Sequence, residues 1–455
     1  MVQTRERARL ARLAAIPASF ALKSPLQIKY DQVVSRIGKK WPRGFGSSRS
    51  RGIRGNGFNC YQNSALQAFM HQPAFLNWIM THNKPIPNSR SNGVINPCSA
   101  NPPAYFLSAV PPTCAACAFK VLINTYWNLN PPSDPIPCTA PGVVGLVQIG
   151  YDSGEFQRGL QLDANDFYNL LQIRTAVATA SPQNQAVQNQ AVQNQPPPNQ
   201  PPPKQPPPNQ APPNQPPQNP PITWEGQYKA LYHIRAPSTF VCHLCSHSRS
   251  GPILDEPSLI LHTRQNSTSL LNELLALFDD DLVVACTNCN VNLARQHMAY
   301  RIEAAPHILK INLNIMNGGN ATGSIQWKIR AGINVLNTLD LTHLQTHNSL
   351  PLTYKLSSVI AHEGSGRTGH YLATCRGPKD VISSLADAQR EVVTQAHLTR
   401  NPQRIGTWSG DFNVHTATYI RDESQWTAAQ RRLAQMVVTD LSYTNVLAGT
   451  FSSLY

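Results

Sequence analysis

The chain holds three kinds of residue grouping that could do chemistry. One is a single cysteine, Cys60, in "RGNGFNCYQNSALQAF". A thiol attacks well only as the thiolate, so a nucleophilic cysteine needs a helix start and a nearby imidazole. Cys60 follows the turn-forming "GNGFN" and enters a helical pattern near Tyr61, where helix N–H groups favour a negative sulfur. The second grouping is His370 in "HEGSGRTGHYLATC", at the point where a glycine-rich loop runs into a strand pattern. A histidine held there by a sheet can face a cleft and act as a base, with Asp411 or Asn413 of "TWSGDFNVHTATYI" to orient it. The third is a set of paired cysteines. Cys242-x-x-Cys245 and Cys286-x-x-Cys289 are two knuckles 40 residues apart, each in a turn-forming context. Four thiolates in that arrangement make a closed structural zinc site and leave no vacancy for His243 or His247. Cys114-x-x-Cys117 has no second pair at knuckle spacing and opens an apolar helical run, so it reads as core packing.

The elements that must position these groups fall into two halves. Apolar residues at three-and-four spacing predict helices in "CYQNSALQAFMHQPAFLNWI", "CAACAFKVLINTYW" and "DANDFYNLLQIRTAVA", the last with Asp163 as N-cap. Further on, "HILKINLNI", "YKLSSVIAH" and "HYLATC" read as strands, interrupted by one helix, "SLLNELLALFD". Helices first and antiparallel strands later predict an α+β architecture.

Composition divides the 455 residues further. The net charge of +14 is concentrated in residues 1–51, where twelve Lys/Arg face only Glu6 and Asp31. That arm reads as disordered, and its charge could tether nucleic acid non-specifically. Residues 181–221 hold 16 of the 39 prolines in five-residue steps with almost no side chains fit for a core, which predicts an extended spacer. The expected organisation is therefore an arm (1–51), a helical part (52–180), a low-complexity insertion (181–221), a β-rich part (222–420) and a C-terminal helix and tail (421–455). No apolar run approaches the roughly 20 residues that span a bilayer, so no membrane partner is expected. The N-terminus has no apolar signal core, and ten cysteines are too few for a disulfide scaffold; both point to an intracellular protein, nuclear or cytoplasmic, although an Arg-rich start also fits a mitochondrial presequence.

Taken together, these stretches resemble the ubiquitin-specific proteases, a family of cysteine deubiquitinases. "GIRGNGFNCYQNSALQ" is similar to the family's G-L-x-N-x-G-N-T-C-Y-M-N-S-x-L-Q, "QLDANDF" to its Q-x-D-A-x-E-F, and "YKLSSVIAHEGSGRTGHY" to its Y-x-L-x-x-V-x-x-H-x-G-x-x-x-x-G-H-Y. The knuckles fall between these boxes, as the family's zinc-binding fingers do. The resemblance implies a papain-like fold of fingers, palm and thumb. It also implies hydrolysis of the bond after the C-terminal glycine of ubiquitin on protein conjugates, with ubiquitin as partner. It assigns Cys60 as nucleophile and His370 as general base, and places Gln161 and Asp163 at the substrate, Asp163 against the basic ubiquitin tail. Two positions depart from the family. Its oxyanion-hole asparagine is replaced by Gly55, leaving the adjacent Asn56 for that role. Its W-x-x-F-[DN]-D becomes Trp408-Ser-Gly-Asp411-Phe412-Asn413-Val414, which on Phe412 makes Asn413 the third catalytic residue. These departures also admit a catalytically weak ubiquitin-binding scaffold of the same fold.

Overall fold

The structure is a computed structural model that describes residues 23–45, 49–85, 94–100, 113–130, 133–179, 223–262, 269–319, 325–328, 333–346, 350–364, 369–399 and 413–431. The low-complexity insertion, the first 22 residues, Trp408, Asp411 and Phe412 lie outside them.

Among the described residues, seven helices precede the first long strand. They are α1 (Pro25–Ile37), α2 (Cys60–Met70), α3 (Pro73–Met80), α4 (Ala115–Tyr126), α5 (Pro141–Asp152), α6 (Ala164–Ala176) and α7 (Trp224–Tyr232). The expected long helix from Cys60 is two, broken at Pro73, whose missing N–H and fixed φ stop one helix and start the next. The rings of Phe69, Phe75, Phe119 and Tyr168 pack together beneath them, with centroids 3.9–5.0 Å apart. This helical body is the expected thumb.

The strands on the main paths of the two large sheets are β1 (Ile234–Cys242), β2 (Ser248–Glu256), β3 (Leu259–His262), β4 (Asp279–Cys286), β5 (Val291–Tyr300), β6 (Ile308–Asn314), β7 (Thr353–Gly364), β8 (Gly369–Arg376), β9 (Ile382–Ala386), β10 (Gln389–Val393) and β11 (Asn413–Arg421), with helix α8 (Leu270–Phe278) before β4. Strands β2-β1-β5-β4 form an antiparallel sheet whose outer strands are largely exposed, the fingers. Strands β10-β9-β8-β7-β11-β6-β3 form the main path of the palm sheet, antiparallel except for the β6–β3 pair, and Thr338–Asp340 adds an eighth strand beside the start of β7. The palm strands β7 and β8 read as near-continuous buried runs, because α2 lies against one face and a second apolar core covers the other. The fold is α+β, as the order of patterns predicts.

The expected boundaries of the arm and tail need correction. Residues 25–37 are not disordered: Ser24 caps α1 by accepting from Gln27 N at 3.0 Å, Pro25 starts the helix, and Tyr30, Val33 and Val34 are buried. Burial of apolar side chains this size contributes about 1.5–3 kcal/mol each. Asp31 is largely withdrawn from solvent as well, and that burial alone would raise its pKa. Arg421, 2.7 Å away, and Lys23 outweigh that and hold it at about 2. This pair joins the expected arm to the expected tail, and Trp426 follows Arg421 into the fold by donating to Pro351 O at 3.0 Å. Arg51 is also buried, donating to Thr125 O at 2.9 Å. Lys23 and Arg51, counted with the charge of a free arm, are therefore held inside the fold.

Candidate active site

The turn before α2 puts Cys60 at the first helical position. Gly57 takes a φ of 97°, which a side chain would resist, and Asn59 Oδ1 accepts from Asn56 N at 2.9 Å, closing the turn. The sulfur is buried against the start of β8. The backbone N–H groups of Tyr371 and Tyr61 point to it, and Gln161 Nε2 donates to it at 3.2 Å. Burial pushes the thiol above its ordinary pKa and Asp387 adds to the rise, while these N–H groups pull it down. The net rise keeps the resting group a thiol that needs a base.

The candidate base stands on β8. His370 is the second residue of β8 and precedes the Tyr371 whose N–H meets the sulfur, so nucleophile and imidazole share one corner of the fold. Burial lowers the His370 pKa, and the carboxylate of Asp387 acts against it. A ring kept neutral in this way can accept a proton.

Asp387 is the residue that sequence reasoning missed, and Asn413 is the assignment it overturns. Asn413 opens β11 and pairs with His362 of β7, so β7 stands between it and His370. Two strand spacings, about 9–10 Å, are too far for a side-chain hydrogen bond. Asp387 occupies the tight turn between β9 and β10 at a φ of 49°. The hairpin tip lies along residues 52–55: Ile53 N donates to Asp387 O at 2.9 Å, and Asn63 Nδ2 donates to Asp387 Oδ1 at 2.8 Å. Burial raises the Asp387 pKa, against the opposing pull of Asn63 and His370. The signal was present, since Ile382-Ser-Ser-Leu385-Ala386-Asp387 keeps the W-x-x-F-[DN]-D spacing with aliphatic residues for the aromatic ones.

The remaining assignments divide. Gln161 does not stand free for substrate. Its carboxamide buckles the start of β8, accepting from Gly369 N at 3.1 Å and donating to Gly369 O, while reaching Cys60. Asp163 is the N-cap expected, accepting from Asn165 N at 2.7 Å and Asp166 N at 3.3 Å. Its other oxygen meets His415 Nε2 at 3.0 Å, so both oxygens already have partners in the protein rather than waiting for a basic tail. Burial would raise its pKa, but His415 and the two N–H groups bring it below the ordinary value. Asn56 lies exposed in the turn, with its side-chain oxygen 3.5 Å from Phe58 N. Gly55 has a reason to lack a side chain: a Cβ there would stand 2.5 Å from Asp387 Oδ2.

At the fingers' end, Cys242, Cys245, Cys286 and Cys289 bring their sulfurs within 4.8 Å of one another. Each knuckle ends on a left-handed residue, Ser246 at φ 54° and Asn290 at φ 55°. The separations Cys242–Cys289, 3.9 Å, and Cys245–Cys286, 3.7 Å, match the edge of about 3.8 Å that Zn–S bonds of about 2.3 Å give a tetrahedron. His243 faces Asp281 at 3.1 Å and is not needed as a ligand. The residues fit a structural zinc ion. Among the buried side chains here, only the two inner cysteines and Ala294 form a core, so the metal supplies what packing does not. Chelating it should release amide protection over 240–250 and 284–296 while β7 and β8 stay protected, as hydrogen exchange with mass spectrometry would show. Unchanged exchange in the zinc-free protein would deny the site a folding role.

Comparison with known proteins agrees with this geometry. The family model described as ubiquitin carboxyl-terminal hydrolase matches residues 51–409. A curated relative, ubiquitin carboxyl-terminal hydrolase 10 of Saccharomyces cerevisiae, is 26% identical over 132 residues, 29% of this chain and 16% of the relative. The match thus spans about a sixth of that relative's length. Among solved structures, the SAGA DUB module of Ubp8, Sgf11, Sus1 and Sgf73 bound to monoubiquitin is similar at a TM-score of 0.55 and 17% identity, over 87% of this chain and 74% of that one. The same module bound to ubiquitin aldehyde gives 0.54 and 18%, over 87% and 74%. At such identities these structures speak to the fold. With the family model covering both the Cys60 turn and the His370 strand, the chain belongs to the ubiquitin carboxyl-terminal hydrolase family.

Proposed function

We propose that the protein is a thiol-dependent deubiquitinase that cleaves the bond after the C-terminal glycine of ubiquitin on protein conjugates. The observation that carries this reading is the Cys60 sulfur lying against the backbone N–H of Tyr371, one residue from His370, with Asp387 acting on both groups. His370 takes the Cys60 proton as the sulfur bonds to the glycyl carbonyl carbon. The imidazolium then protonates the lysine amine as the C–N bond breaks, and water, deprotonated by His370, releases the thioester. Asp387 stabilises the imidazolium. The Gln161 carboxamide donates to the sulfur and, with the N–H groups of Tyr371 and Tyr61, supports negative charge on it.

The buried, protonated resting thiol favours a second reading, a weak enzyme that mainly binds ubiquitin. Incubation with a ubiquitin C-terminal electrophile separates the two. The enzyme reading expects an intact-mass adduct at Cys60 that Cys60→Ala abolishes. Ubiquitin binding without an adduct supports the scaffold and defeats the enzyme. No membrane-spanning helix occurs among the described residues. A nucleic-acid tether would draw on the exposed Lys29, Arg36, Lys40 and Arg43 together with Arg5, Arg7, Arg9 and Arg12, whereas Lys23, Lys39, Arg49 and Arg51 have partners in the fold.

A further inference from the structure

A second cluster of soft ligands lies in the thumb. We propose that His82, Cys98, Cys114 and Cys117 hold a structural zinc ion distinct from that of the fingers. One donor atom from each lies within 4.8 Å of all the others, the same criterion the four fingers cysteines meet. The Cys98 and Cys117 sulfurs are 3.7 Å apart, and Cys114 Sγ is 3.6 Å from His82 Nε2. A tetrahedral zinc ion with Zn–S of about 2.3 Å and Zn–N of about 2.0–2.1 Å sets those two edges at about 3.8 and 3.6 Å. The sulfur pair is far too long for a disulfide, whose bond is about 2.05 Å.

The spacing in sequence explains why Cys114-x-x-Cys117 looks like a pair without a partner. Its complement is not another knuckle but two single residues from separate segments. His82 follows the end of α3, and Cys98 sits in an extended segment bridged to Thr179 beyond α6. Cys114 caps α4 and Cys117 lies in its first turn, where free N–H groups favour thiolates. Ordinary core packing does not require three separate segments to converge through a histidine and three cysteines. His82 is fully buried and Cys117 nearly so, which makes a closed site with four protein ligands and no open position for catalysis. Three thiolates and an imidazole around zinc leave one negative charge. Lys120, whose ammonium donates to His82 O at 2.9 Å, stands beside it.

The cluster also sits where the thumb needs a fastening. Thr179 bridges Cys98 on one side of the 180–222 stretch; on the other, Trp224 lies 5.3 Å from the His82 ring and stacks on Trp78 at 4.1 Å. An ion here would tie α3, α4 and both flanks of that stretch into one unit. This inference does not depend on catalysis.

The test is zinc content of the full chain, purified without chelator and measured by plasma mass spectrometry. Two equivalents per chain are expected, falling to one in Cys286→Ser/Cys289→Ser and to one in Cys98→Ser/Cys117→Ser. One equivalent in the wild type, lost entirely with the fingers pair, overturns the proposal. Because the serine variants can misfold, His82→Cys provides a second measurement. It should keep two metals and, loaded with cobalt, gain thiolate-to-cobalt charge-transfer absorbance from an added sulfur ligand. An unchanged cobalt spectrum overturns the assignment of His82.

Discussion

Replacing Asp387 by alanine lowers kcat/KM on a ubiquitin amide substrate by about 10²–10⁴-fold, the range for losing a group that makes a general base effective. Asn413→Ala, in contrast, leaves it within a few-fold, because β7 separates that residue from His370. A structural role for Asp387 could mimic the first result, so the decisive readout is the pH profile of Asp387→Asn. The carboxylate favours the imidazolium and disfavours the thiolate, so it raises the pKa of both His370 and Cys60. Removing its charge lowers both. The His370 pKa, already below its ordinary value through burial, falls further and the acid limb moves to lower pH; the Cys60 pKa falls too, and the alkaline limb moves the same way. The whole bell should shift toward acid. Fixed limbs with reduced height would mean that Asp387 only holds the hairpin in place.

How this residue escaped sequence reasoning shows where such reasoning ends. Cys60 and His370 were legible because each carries its own local context, a turn before a helix and a glycine-rich loop before a strand. The fingers cysteines were legible because a knuckle is a short-range pattern that states its own chemistry. Asp387 has neither advantage. Its importance comes from a two-residue turn laid against residues 52–55, more than 300 positions away, and from there its charge reaches the thiol and the imidazole. The same holds for α1: the chain around Pro25–Ile37 looks like part of a basic arm until Arg421 arrives to neutralise Asp31. Asp163 was placed correctly as a cap, since capping is local. Its second partner, His415, comes from the interior palm strand β11, 252 positions away, and has no local trace. Helix α5 was missed for another reason. Its "PGVVGLVQIGYD" is rich in glycine and valine, poor helix formers, and Gly142 and Gly150 are there because Leu122 and Phe167 press against them. Packing overrode propensity.

Gly55→Ala should lower kcat/KM by about 10²-fold in the wild-type protein, yet cost little more once Asp387 is alanine. The backbone at Gly55 has no left-handed strain, so the obstacle is contact alone. An added Cβ meets Asp387 Oδ2 at 2.5 Å and Cγ at 2.8 Å. One of the two must give way. Asp387 is held by Asn63 at one oxygen, by Ile53 N at its carbonyl and by the turn it occupies, so it resists. The segment that can yield is 54–57, which leads into the Cys60 turn, and a displacement of about 1 Å at a nucleophile is enough for a hundredfold loss. In the Asp387→Ala background the carboxylate is gone, the new methyl group has room, and the turn keeps its place. The two substitutions should therefore be strongly non-additive in a double-mutant cycle on kcat/KM. Losses that multiply in the double variant would separate Gly55 from Asp387 and leave the missing asparagine of the family without a steric cause.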